Sequence, residues 1–144
     1  MANLVYNYFK KAILVGSINL QSSPTLYCML VGSGYTPNDD THIYRSSVTN
    51  EITGSNYISG GFAVSSPSVQ YGTDVNQGIL YASTIVLANV TFNTSPRAAV
   101  LYGSSGQGSA SDPLFAYIDF TTDQAVTAGT FQINWASGGV LAVS

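Results

Sequence analysis

Residues 113–144, PLFAYIDFTTDQAVTAGTFQINWASGGVLAVS, carry the pattern that most limits the fold. Leu114, Ala116, Ile118 and Phe120 alternate with Phe115, Tyr117 and Asp119. Further on, Phe131, Ile133 and Trp135 alternate with Gln132, Asn134 and Ala136. A half-buried strand needs this period of two, because successive side chains leave opposite faces of the pleat. The segment predicts two long strands and a short last one, joined by polar, Gly-containing loops. Phe120, Phe131, Ile133 and Trp135, the only tryptophan, are expected to be core scaffold.

The rest of the chain fits around such a sheet. In residues 3–15, Leu4, Val5, Tyr8, Phe9, Ala12 and Ile13 form one stripe at helical spacing, with Asn7, Lys10 and Lys11 opposite. Asn3 is the expected N-cap and Gly16 the stop. Residues 25–32, TLYCMLVG, are apolar almost throughout and predict a strand buried on both faces, by the helix on one side and an opposing sheet on the other. A short helical turn is expected within 41–52, and a loop at 53–56. A strand is expected over 57–64 with Gly60 and Gly61 marking a bulge, continued briefly at Val69 and Tyr71. Residues 72–78 read as polar loop, and 79–92 as short strands. Residues 98–102 predict a buried strand, and 103–111 a hairpin loop leading to Leu114. With no repeat and no linker, 1–144 reads as one domain. The expected fold is all-β, an antiparallel β-sandwich or barrel of about seven to nine strands with one short N-terminal α-helix.

Composition points outward from this scaffold. Only 8% of residues are charged, where about a quarter is typical. Ser, Thr, Asn, Gln, Gly and ten Tyr take their place. Interface cores are depleted in charge and enriched in aromatics, so the composition predicts a surface covered in an assembly. Four basic residues and a net charge of −3 argue against direct nucleic-acid binding. No apolar run long enough to span a membrane is present, and the N-terminus makes a poor signal peptide. A single cysteine, Cys28, forms no internal disulfide and reads as a buried small hydrophobe.

His42, the only histidine, stands near Asp39 and Asp40 and invites a metal or acid–base reading. The chain offers no further convergent ligands, and Asx-type turns by Asp39 and Asp40 are expected instead. A Ser–His–Asp triad would have to use His42, and no Gly-x-Ser-x-Gly elbow is present. The Gly- and Ser-rich stretch 103–111 lacks the Lys and the helix of a phosphate-cradling loop. Asp119 is expected to face solvent, a neighbouring subunit or Arg97. No enzymatic activity, cofactor or metal is expected. The tyrosines leave open a carbohydrate platform, since aromatic faces bind sugars as well as proteins.

Three stretches in order, residues 35–61 (YTPNDDTHIYRSSVTNEITGSNYISGG), 89–103 (NVTFNTSPRAAVLYG) and 113–144, together resemble a family of small structural proteins in the virions of tailed bacteriophages. The resemblance covers most of the chain and is weakest over 65–88. It implies a non-enzymatic capsid cement or decoration protein on the capsid surface of the virion, assembled in the host cytoplasm. Its implied partners are the major capsid protein and copies of itself, as a homotrimer. The N-terminal segment and the loops 34–42 and 103–111 are the candidate contacts, through Tyr35, Asp39, Asp40, His42 and Gln107. A tail, neck or fibre-associated virion protein is the alternative in the same class, and a carbohydrate-binding module the alternative in another.

Overall fold

A computed structural model describes residues 3–20, 25–72, 77–136 and 139–143. It contains one α-helix, α1 (Asn7–Leu14), and eleven strands: β1 (Leu4–Val5), β2 (Thr25–Val31), β3 (Gly54–Ser55), β4 (Phe62–Ala63), β5 (Ser68–Gly72), β6 (Gln77–Tyr81), β7 (Ile85–Phe92), β8 (Ala98–Ser104), β9 (Leu114–Asp119), β10 (Gly129–Ile133) and β11 (Leu141–Val143). They form a five-stranded sheet in the order β1-β9-β8-β2-β4 and two three-stranded sheets, β10-β7-β3 and β11-β6-β5. Every pairing is antiparallel. This is the expected all-β, sandwich-like class with its short N-terminal helix. The strand count exceeds the expected one because β1, β3 and β4 have two residues each, too few to show a period.

The centre of the large sheet is β2 paired with β8 along its whole length, from Thr25↔Ser104 to Val31↔Ala98. Leu26, Cys28, Leu30, Ala99 and Leu101 pack on one face, against Phe9 of α1 and against Leu80, Val90, Phe92, Phe131 and Ile133 from the smaller sheets. Met29, Val31, Ala98, Val100 and Tyr102 pack on the other face, with Tyr6, Tyr35, Leu114 and Tyr117. The strand is buried on both faces as its sequence predicts, but the helix and the opposing sheets share one face. The second face is covered by Tyr6 and by the segment that carries Tyr35 and Val48.

The reason lies at the start of the chain. Leu4 and Val5 pair with Tyr117 and Ala116 as strand β1, so the helix begins only at Asn7. Tyr6, not Asn3, is the N-cap, and no side chain caps it. The Asn3 side chain instead accepts the Asp119 backbone N–H at 2.7 Å. Gly16 does end the helix, at φ +74°, with its N–H donated to Ile13. Phe9 and Ala12 are the buried residues of α1, and Phe9 lies 4.7 Å from Phe115, ring to ring.

Phe115 also breaks the alternation in the most regular stretch of the sequence. Leu114 pairs with Tyr102, but Leu101 pairs with Ala116, so Phe115 is an extra residue at a β-bulge. A bulge shifts every later side chain to the opposite face. Ala116, Ile118 and Phe120 therefore face the larger core with Phe115, whereas Leu114 faces the other with Tyr117. Phe131 and Ile133 are buried in the larger core, while Phe120 and Trp135 are partly buried against it. Trp135 lies beyond β10 and donates its indole N–H to Ser83 O at 3.0 Å.

The middle of the chain departs most from the alternation pattern. Only Phe62 and Ala63 of the expected strand 57–64 pair with β2, because Gly60 and Gly61 turn the chain at φ +91° and +82°. Tyr57 serves as a substitute neighbour for β2: its hydroxyl accepts the Leu30 N–H at 3.0 Å and donates to Glu51 at 3.0 Å. Residues 54–55, expected in a loop, pair with Phe92 and Thr91. The stretch 79–92 resolves into β6 and the single long strand β7. The expected short helical turn is the 3-10 turn Arg45–Ser47. Of the expected loop 72–78, residues 73–76 lie outside the described residues.

Burial pushes the Cys28 thiol from its ordinary 9.0 up to about 12, and burial likewise raises the phenols of Tyr6 and Tyr57. The folded chain keeps these protons at a pH where the unfolded chain has lost them. Their contribution to stability is full below about pH 9 and is lost as pH rises towards 12. Denaturant melts at neutral pH and at about pH 11 are expected to show a lower midpoint at the alkaline value. At pH 8, a thiol reagent is expected to leave the folded protein unlabelled and to label it fully in denaturant.

Candidate functional site

The loop 34–42 is tied to the start of α1 through a chain of polar contacts. Asn38, not Asp39 or Asp40, makes the Asx-type turn: its Oδ1 accepts the N–H groups of Asp40 and Thr41, both at 3.0 Å. Asp40 accepts the Asn7 side-chain amide at 2.5 Å, and Asn7 Oδ1 accepts Lys10 Nζ at 2.8 Å. The Asn7 backbone N–H donates to Asp39 O at 3.0 Å. His42 Nδ1 lies 3.0 Å from the Tyr35 hydroxyl and 3.3 Å from the Asn38 N–H. Tyr35 in turn meets the Tyr6 hydroxyl at 2.9 Å.

These contacts sort the candidate residues. Tyr35 is 3% exposed and belongs to the second core, so its side chain is not available for a partner, contrary to the expectation from sequence. Asp40 is exposed, while Asp39 and His42 are half-buried beside it. Among the described residues, no three His, Cys, Asp or Glu side chains converge in a metal-binding arrangement.

The loop 103–111 is held at its base by Asp112, the one buried charged residue among those described. Its carboxylate accepts Arg45 Nε at 3.0 Å and the Ser105 N–H and hydroxyl at 2.8 and 2.9 Å. The Arg45 guanidinium lies over the Tyr102 ring, 5.1 Å from its centroid. Gln107 is exposed, and its N–H donates to Ser105 Oγ at 3.1 Å. Removing a partner from such a site leaves polar groups unpaired. Asp112→Ala is expected to cost about 2–3 kcal/mol in a denaturant melt and to open this loop to limited proteolysis. Asp119 pairs with Arg97, Nε to Oδ1 3.1 Å, one of its three expected positions.

Two clefts open on the surface, one of them beside these elements. This one, of about 340 Å³, is lined by Tyr8, Tyr44, Ser17, Ser105, Ser111 and Pro113 among others. The Tyr8 and Tyr44 rings stand 5.6 Å apart, giving it aromatic walls and hydroxyl groups.

The other is an open groove of about 440 Å³ between the end of α1 and the sheet β11-β6-β5. Ile13, Ile18, Leu20, Val69, Leu80 and Leu141 line it, and among the described residues no charged one does. Leu14 and Val15, next to it in the chain, are 86% and 66% exposed, and Tyr71 on β5 is 81% exposed. Sequence reasoning treats Val69 and Tyr71 only as a short strand. Their i, i+2 spacing shows that they share a face, but not that the core stops short of covering it.

Comparisons of the chain with protein-family models, with curated proteins and with solved structures find no match.

Proposed function

We propose that this chain is a structural virion protein of a tailed bacteriophage, a cement or decoration protein that binds the major capsid protein on the head. The observation that carries the reading is the combination of a charge-poor chain with large apolar side chains left at its surface. The chain has four basic and seven acidic residues, and Leu14, Val15, Ile58, Tyr71 and Val86 are each more than half exposed. A surface of this kind loses little on desolvation and gains from being covered. Loops fixed at their bases by Asn38 and Asp112 offer preorganised contacts, which lowers the ordering cost of binding. A protein that adds interface area across subunit junctions stabilises the shell by mass action. The test is to strip tails from purified virions and assay DNA-filled heads for the protein. Retention on the heads is expected; loss with the tails would move the protein to the tail, neck or fibres.

The Tyr8–Tyr44 cleft favours a second reading, a carbohydrate-binding module. Aromatic walls with nearby hydroxyls suit a sugar ring. Glycan-array binding by the isolated protein, abolished in Tyr44→Ala, would support that reading over the capsid one.

A further inference from the structure

We propose that strand β5 pairs with β5 of a second copy about a two-fold axis, joining the two β11-β6-β5 sheets into one six-stranded sheet. This goes beyond the capsid reading and does not depend on it.

The sheets end in six edge strands, and β5 differs from the others. β1, β3 and β4 have two residues each and β11 three. β10 has five, but its exposed side chains, Thr130 and Gln132, are polar. β5 also has five residues, Ser68–Gly72, and exposes Val69 (41%) and Tyr71 (81%). Edge strands are normally guarded by Lys, by an inward charge, by a bulge or by proline within the strand. The sequence SVQYG has none of the residue guards, and β5 pairs with β6 without a register shift.

The occupant follows from self-complementarity. A two-fold register that pairs all five residues is centred on Gln70. It sets Ser68 of one copy opposite Gly72 of the other, and Val69 opposite Tyr71, twice. A β-branched residue opposite an aromatic is a favourable cross-strand pair. Both pairs lie on the face of Leu80, the cross-strand neighbour of Val69, which is the face that lines the 440 Å³ groove. Tyr71 of the second copy would therefore sit beside Val69 at the mouth of the groove, extending a core that one copy leaves open. Any charge near the axis would meet its own like across the interface, and neither β5 nor β6 (QGILY) carries one. An isologous contact of this kind closes on itself and does not run on into fibres.

The test is sedimentation velocity of the purified full chain from about 1 to 500 µM, on the wild type and on variants at Gln70. Gln70 is exposed, so substitution there leaves the core intact. The wild type is expected to shift towards the dimer mass with concentration. Gln70→Glu and Gln70→Lys, each placing like charges across the axis, are expected to weaken association at least about tenfold. An equimolar mixture of the two variants is expected to restore the dimer, because opposite charges then face each other. A wild type that stays monomeric throughout, a trimer indifferent to Gln70→Glu, or variants that do not rescue one another would each overturn the proposal. None of these outcomes bears on whether the protein is retained on tail-stripped heads.

Discussion

Gly61→Ala is expected to destabilise the fold by at least about 3 kcal/mol, and in the cell to leave little folded protein. Two costs coincide at this position. The backbone is at φ +82°, which a residue with a Cβ rarely adopts. A Cβ there would also overlap the carbonyl of Cys28, at the middle of β2. That neighbour is backbone in the central sheet and cannot rotate away as a side chain would. Relief would have to come from moving β4 off β2, which loses the Tyr27↔Ala63 and Cys28↔Phe62 pairs. Gly106→Ala is the control. Its φ is +77°, but nothing lies within 4 Å of an added Cβ. It is expected to cost about 1–2 kcal/mol, the conformational part alone. Equal losses in the two variants would show that the close approach of Gly61 to β2 contributes nothing.

Phe115→Ala is expected to cost about 3–5 kcal/mol and to lower Tm by roughly 10–15 °C. Phe115 is 1% exposed and packs ring to ring on Phe9, so it joins α1 to the five-stranded sheet. It is also the extra residue of the β9 bulge. Truncation opens a cavity between helix and sheet. Phe9→Ala should produce a similar loss. The double variant should lose less than the sum, because the two rings share one contact.

The legible part of the fold was the part whose pattern is long. β2, β8, β9 and β10 each show a continuous apolar run or five or more residues of alternation, and the sequence locates them. The flip at Phe115 was not legible, because a bulge adds a residue without changing composition. The sequence places the start of α1 too early, because Leu4 and Val5 satisfy a helical stripe and a two-residue strand equally well. Contact with β9 decides between them, and that contact is non-local. The same limit explains Tyr35. It sits in a segment rich in turn-forming residues, yet its ring fills the second core and its hydroxyl bridges Tyr6 and His42. Asp112 gives no signal beyond its type, since its ion-pair partner Arg45 stands 67 residues away in the chain. The candidate surface was visible only as composition: too little charge and too much tyrosine. Which apolar side chains stay exposed, such as Tyr71 on β5, depends on where the core ends, which requires the packed structure.

The proposed role is that this charge-poor sheet scaffold is covered by contact with a capsid. Copy number per virion tests it most directly, by quantitative mass spectrometry of purified particles against the major capsid protein. A cement role predicts copies on the order of hundreds, in fixed proportion to the capsid subunits. A count of about six or twelve, as expected of a single ring in a neck or tail, would contradict it.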